Sequence, residues 1–261
     1  MADRDKILKY FRASGDEDLA AQLLDLAERA NKTNKFKVSA FLDPHGLNVA
    51  EIVAANLGNM RLEISGGFVN SERAKAAFVA DSYGGTVDYG MDAYQVTWDK
   101  RYYTLAHRDI LGAFMGLGCE RDILGDIIFV PAGAQFVADK TFNSYILDNL
   151  TQIGAAPVQL TNIDFSELEA KEEKIKLISA TVAALRLDAV AAAGYGVSRS
   201  RMADEIKGQN VKVNWKDAKN ASQTVAEGDV ISFRSRGRVE VAEIRGTTKK
   251  GRISITLKRF V

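Results

Sequence analysis

The order of hydrophobic periods between Asp88 and Phe165 restricts the fold more than any other feature of the chain. Ala93–Trp98 alternates with period two, as a half-buried strand does. Leu105–Leu117 shifts to helical spacing. Asp126–Val130 and Gln135–Ala138 return to strand character on either side of Pro131-Ala132-Gly133, a turn signal. Thr141–Gln152 places Phe142, Tyr145, Ile146 and Leu150 on one helical side, and Pro157–Thr161 reads as a closing strand. The order βαββαβ predicts a split-βαβ, ferredoxin-like sheet with both helices on one face.

The flanks differ from this unit. Residues 1–58 read as helical: Leu19, Leu23, Leu24, Ala27 and Ala30 form one apolar face. Asp43-Pro44-His45-Gly46 opens a further helix, with proline in the first turn, continued by Leu47, Ile52, Val53 and Leu57. Met60–Ile64 alternates as a short strand. Gly66-Gly67 breaks it, and Asn70 or Ser71 is placed to cap a helix through Phe78. Beyond the middle unit, Lys171-Glu172-Glu173-Lys174 marks a charged connector. Leu187, Val190 and Ala191 start a short helix, and Ser198 caps another that runs to Lys207 before Gly208. Val211–Trp215, Val230–Val241 and Ile253–Leu257 alternate as strands. The expected fold is α+β in three parts: a mostly helical region (1–86), a βαββαβ domain (87–165) and, after a connector (166–180), a small α+β domain (181–261).

Composition removes several functions. One cysteine, Cys119, and two histidines among 261 residues leave no disulfide framework and little basis for a metal site. No apolar run reaches the roughly 18–20 residues needed to cross a bilayer, and the charged start of the chain lacks a signal-peptide pattern. A cytoplasmic protein without membrane contact or cofactor is expected. The net charge of +1 hides a division. Residues 181–261 hold 16 Lys+Arg against 8 Asp+Glu, while residues 1–180 carry a net −7. Such asymmetry points to nucleic-acid contact in the basic part.

Two basic features are sharper than bulk charge. Arg199 and Arg201 stand in the first turn of the Ser198 helix, where cations oppose the helix dipole. An anion bound there, a phosphate above all, would turn that cost into binding. The plainer reading is two exposed arginines at little cost. Arg234, Arg236 and Arg238 share one parity of the last alternating run. In one extended strand they would be spaced roughly 6.6 Å apart, near the phosphate repeat of a nucleic acid. The plainer reading there is an edge strand protected by charge.

These residues fall within a longer pattern. Arg186-Leu187-Asp188, Ser198-Arg199-Ser200-Arg201, Ile206-Lys207-Gly208, Val211-Lys212-Val213-Asn214, Glu227-Gly228-Asp229 and Arg236-Gly237-Arg238 follow in order. This run resembles the RNA-binding domain named for ribosomal protein S-four. The resemblance implies RNA contacts by Arg186, Arg199, Arg201, Lys207, Lys212, Asn214 and the Arg234–Arg238 row. It implies structural roles for Asp188, Gly208, Val211, Val213 and Asp229. Upstream, Gly66-Gly67, Asn70, Glu72-Arg73, His107-Arg108, Leu117-Gly118-Cys119, Arg121 and Gly125-Asp126 complete an order similar to the bacterial YlmH-like family. That family joins a helical segment, an RNA-recognition-motif-like domain and an S-four-type domain. The likeness implies binding to structured RNA of the large ribosomal subunit, with the ribosome and tRNA as further partners and DNA excluded. It also implies a role in rescue or quality control of stalled translation.

The middle unit lacks the paired stacking aromatics of a true RNA-recognition motif; its third strand offers only Phe136. His107 and Arg108 read equally as RNA contacts and as an ordinary helix start. Arg121 and Asp126 read as an internal ion pair, and Cys119 as a small buried side chain. Glu72 with Arg73 and Asp126 with His107 are the only acid–base pairs to inspect, and no nucleophile, triad or metal spacing accompanies them. A non-enzymatic RNA-binding protein is therefore expected. An RNA-modifying enzyme, one that pseudouridylates or methylates ribosomal RNA through the middle unit, is the alternative. A protein-interaction module recruited by RNA is the third reading.

Overall fold

A computed structural model describes residues 4–12, 14–169, 175–234 and 236–260. The chain divides into two compact units, 1–171 and 172–261, an α+β arrangement with helices first and sheets in every part.

The first unit opens with α1 (Arg4–Arg12) and α2 (Glu17–Thr33). Ala20, Leu23, Leu24, Ala27 and Ala30 of α2 are buried, the stripe that the spacing predicts. Asn34, in the left-handed conformation, ends the helix. The next segment departs from the helical expectation: Phe36–Leu42 is a strand, β1. α3 (Pro44–Ala55) starts as predicted, with the Asp43 carboxylate accepting from the Gly46 amide at 2.8 Å. β2 (Met60–Ser65) follows. The helix expected through Phe78 is instead β3 (Ala74–Ala80), the central strand of an antiparallel sheet ordered β1-β3-β2. All seven β3 residues are buried, so the two-residue alternation that marks a strand is missing from the sequence. Ala76 and Phe78 pack on the helices, and Lys75 turns to the other face.

The middle sheet is built from β4 (Met91–Thr97), β5 (Leu124–Val130), β6 (Gly133–Asp139) and, after the short pair β7 (Gln152–Ile153) and β8 (Ala156–Pro157), β9 (Gln159–Ile163). Its order, β5-β6-β4-β9, all antiparallel, is that of the split-βαβ fold. Helices α4 (His107–Gly116) and α5 (Asn143–Asn149) supply Ile110, Phe114 and Ile146 to a core with Tyr94 and Phe136. The Tyr94 and Phe136 rings stack at 4.9 Å, and Phe114 meets Phe136 edge-on.

The second unit is a six-stranded antiparallel sheet under two helices, α6 (Leu187–Tyr195) and α7 (Arg199–Lys207). Its strands are β10 (Ile175–Val182), β11 (Val211–Val213), β12 (Lys216–Asp217), β13 (Val230–Phe233), β14 (Gly237–Thr247) and β15 (Ile253–Phe260), ordered β10-β15-β14-β13-β11-β12. The last six residues of the expected connector therefore belong to strand β10, which pairs along β15. Lys171–Lys174 lie outside the described residues. Ile231, Phe233, Val239 and Val241 are all buried, as their shared parity predicts.

Candidate nucleic-acid interface

Asp188 organises the basic surface of the second unit. It lies in the first turn of α6, with its side chain 8% exposed. Its carboxylate accepts from Arg186 Nε and Nη2 at 3.2 and 3.0 Å and from Arg199 Nη2 at 3.0 Å. Burial alone would raise its pKa. The two guanidinium groups outweigh burial and hold it below the usual carboxylate range. Arg186 and Arg199 remain about half exposed at 42% and 55%, so part of each five-donor fork faces outward. The anion that the start of α7 calls for is thus supplied to Arg199 by the chain itself.

α7 is capped as expected, with Ser198 Oγ accepting from the Arg201 amide at 3.2 Å. The Arg201 side chain is exposed and stands 3.9 Å from Glu205 one turn on. Lys207 is exposed in the last turn. Lys212 projects from β11, 3.8 Å from Asp217. Asn214 is committed to the fold. In the left-handed region at φ 50°, its amide donates to Asp229 Oδ1 at 2.8 Å and accepts from the Val230 amide at 2.9 Å.

The arginine row takes a different form from the one expected. Val230–Val241 is a hairpin rather than one strand: Phe233 pairs with Gly237, with Arg234 and Arg236 between the paired strands. Gly237, at φ 78°, admits the reversal. Arg234 and Arg236 are therefore turn residues, and only Arg238 is within a strand. The Arg236 guanidinium lies 5.6 Å from the Phe233 ring, and that of Arg238 lies 4.2 Å from the Phe260 ring. Burial against Phe260 lowers the Arg238 pKa. The even spacing to match three phosphates is absent. Sequence reasoning also passed over Lys249 and Lys250, both exposed at the β14–β15 turn. The cluster Thr247-Thr248-Lys249-Lys250-Gly251 was its signal.

In the first unit, His107 and Arg108 are the exposed opening residues of α4. Asp109 holds that helix start by accepting from the Ala106 amide at 2.8 Å. Of the acid–base candidates singled out in the sequence, Asp126 and Arg73 make contacts that hold the fold. Asp126 accepts from the amides of Glu72 and Arg73 at 2.6 and 3.2 Å. The Arg73 guanidinium donates to the carbonyls of Phe41, Leu124 and Arg121 at 2.8, 3.0 and 3.1 Å. Arg121 donates to the Leu124 and Gly125 carbonyls. Burial and the nearby Arg73 charge push its pKa down to about 10. Lys75, 4% exposed, pairs with Asp139 at 2.6 Å and reaches the Tyr89 and Gly90 carbonyls. This polar seam joins the β1–β3 layer to the middle sheet.

The sheet face opposite the middle helices, where RNA-recognition motifs stack bases, is filled by the chain itself. Val137 is fully buried and Gln135 is 4% exposed. Gln135 Nε2 donates to Gln95 Oε1 and to the Glu167 carbonyl, both at 3.0 Å, and its Oε1 accepts from the Glu169 amide at 2.7 Å. Gly67, at φ 92°, lies so close that a Cβ there would be 2.9 Å from the Phe165 ring and 3.0 Å from Val137.

Three family models match in chain order: the N-terminal region of YlmH at residues 15–83, the putative RNA-binding domain in YlmH at 85–167, and the S4 domain at 185–231. A curated relative, ribosome-associated protein quality control protein P2 of Bacillus subtilis (strain 168), is 32% identical over 254 residues, covering 97% of this chain and 98% of the relative. The chain belongs to the YlmH family. Within it, a solved structure titled cell division protein ylmH from Streptococcus pneumoniae is 25% identical, with a TM-score of 0.52. That match covers 60% of this chain and 95% of the other. The S4 match spans Arg186, Arg199, Arg201, Lys207, Lys212 and Asn214. It ends at Ile231, ahead of Arg234, Arg236 and Arg238.

Proposed function

We propose that this YlmH-family chain is a non-catalytic, cytoplasmic RNA-binding factor that grips structured ribosomal RNA of the large subunit where translation has stalled, with tRNA as a neighbouring contact. The observation that carries the proposal is the surface built on Asp188. It presents Arg186 and Arg199 as a fixed pair, with Arg201 beside Arg199 on α7, in the part of the chain that carries the positive charge. Fixed forks lose little freedom when they meet phosphate oxygens. The name of the Bacillus subtilis relative, a ribosome-associated quality control protein, supports the choice of target. Lys207, Lys212, Arg234, Arg236 and Arg238 extend the basic surface in this reading, with His107 and Arg108 as a second contact. Asn214 acts by shaping the turn.

The test is co-sedimentation of the full chain with ribosomal subunits. The double substitution Arg199→Glu with Arg201→Glu is expected to abolish pelleting with the large subunit at physiological salt. Arg201→Glu alone, which leaves Asp188 and its partners intact, is expected to weaken it and to reduce the salt slope of binding by about 1. Undiminished pelleting of the double variant would overturn the proposal.

A further inference from the structure

The middle domain has the fold of an RNA-binding sheet but keeps its sheet face covered by Gly67, Phe165 and the 167–169 segment. Any RNA contact by this domain must use another surface. One place stands out: the loop that leaves β4 and runs from Trp98 to α4. Its side chains combine aromatic rings and cations, the two chemistries that hold unpaired nucleotides.

Tyr102 is 75% exposed and Phe129, beside the loop, is 43% exposed. Trp98 meets Phe129 edge-on at 6.2 Å. An exposed ring on a mobile loop would mean little, but this loop is fastened at several points. Trp98 Nε1 donates to the Tyr103 carbonyl at 3.1 Å. Lys100 Nζ bonds the Val130 and Pro131 carbonyls at 3.1 and 2.7 Å and lies 5.3 Å from the Trp98 ring. The Asp99 carbonyl accepts from the Tyr102 and Tyr103 amides. The Asp99 carboxylate holds the Arg101 guanidinium at 3.0 and 2.7 Å, and that guanidinium lies 5.4 Å from the Tyr102 ring. A cation held by Asp99 and an aromatic ring are thus set side by side, facing water. Next to them is an open cleft of about 530 Å³, lined by Trp98, Lys100 and Arg101 and by Val158 and Gln159. The loop ends in His107 and Arg108, with the Arg108 side chain 90% exposed.

We propose that the Trp98–Arg108 loop is a second RNA-binding surface, which stacks an unpaired base of a structured RNA on Tyr102 and meets its flanking phosphates with Arg101 and Arg108. The proposal rests on the RNA-binding reading above and locates where the middle domain takes part in it. Charge favours RNA over a protein partner: Lys100, Arg101 and Arg108 outnumber Asp99 and Asp109 within the loop and the helix start.

The experiment uses the full chain with large-subunit ribosomal RNA as probe, combining ultraviolet crosslinking, mapping of crosslinked peptides and affinity measurement. Tyr102 is exposed, so its substitutions leave the core untouched. The expected result is a crosslinked peptide containing Tyr102, affinity about tenfold weaker for Tyr102→Ala, near-normal affinity for Tyr102→Phe, and a shallower salt slope for Arg101→Ala. If wild-type binding is lost in the Arg199→Glu, Arg201→Glu variant while Tyr102→Ala binds normally and no crosslink falls in 98–108, the loop proposal is overturned and the C-terminal reading stands. If the wild-type chain fails to bind the RNA at all, both readings fall. Capture of a protein through this loop, with RNA affinity unchanged in Tyr102→Ala, would also overturn it.

Discussion

Asp188 shows how one carboxylate can serve stability and binding together. Its two arginine partners compensate its burial, and it fixes the direction in which they point. Asp188→Asn is expected to destabilise the C-terminal unit by about 1.5–3 kcal/mol near neutral pH, because hydrogen bonds to a charged group are lost. The pH dependence has a definite sign. The folded-state pKa is depressed, so the stabilisation is complete above the ordinary aspartate value of about 3.9 and fades as pH falls through the lower folded value. Denaturant unfolding of both proteins at a series of pH values checks this: the curves should separate at pH 7 and converge in acid. A constant gap down to low pH would contradict the assignment. Residue types at this scale were largely readable. The resemblance to the S-four domain implied a structural role for Asp188, but its capture of Arg199, eleven residues away, is a tertiary contact that no local spacing reveals. The Asn214 contact is hidden for the same reason: its amide finds Asp229 across a turn.

Secondary elements were legible where one face is dry and the other wet. α2, α4, α7 and the strands of the middle sheet follow their periods. β3 escaped because it is buried on both faces and rich in alanine, a good helix former. The arginine hairpin escaped because its alternation continues in phase on both sides of the turn. The covered sheet face depends on elements distant in sequence, and only the Gly66-Gly67 pair hinted at close approach. Gly67→Ala should test that packing. The positive φ and the contacts with Phe165 and Val137 together predict a loss of about 1–3 kcal/mol, read as a lower melting temperature of the first unit. An unchanged melt would show that the Phe165 cover yields easily.

At the scale of the molecule, two compact units with separate cores predict two thermal transitions. Calorimetry should show Asp188→Asn moving one and Gly67→Ala moving the other; a single transition shifted by both substitutions would refute this independence. Within the first unit the reverse holds, since the boundary between the N-terminal and middle family matches is crossed by the Arg73, Lys75 and Asp126 contacts. That seam has a consequence for synthesis. The amide of Glu72 is bonded to a carboxylate 54 residues further along the chain. At ~5–20 residues per second, translation needs about 3–11 s to deliver that partner. Until then Arg73 lacks its acceptors at Arg121 and Leu124, and Lys75 lacks Asp139. A nascent chain interrupted between the two segments holds the helices of its first layer but leaves Arg73 and Lys75 without part of their native acceptors, so completion of β6 is the moment at which this seam closes.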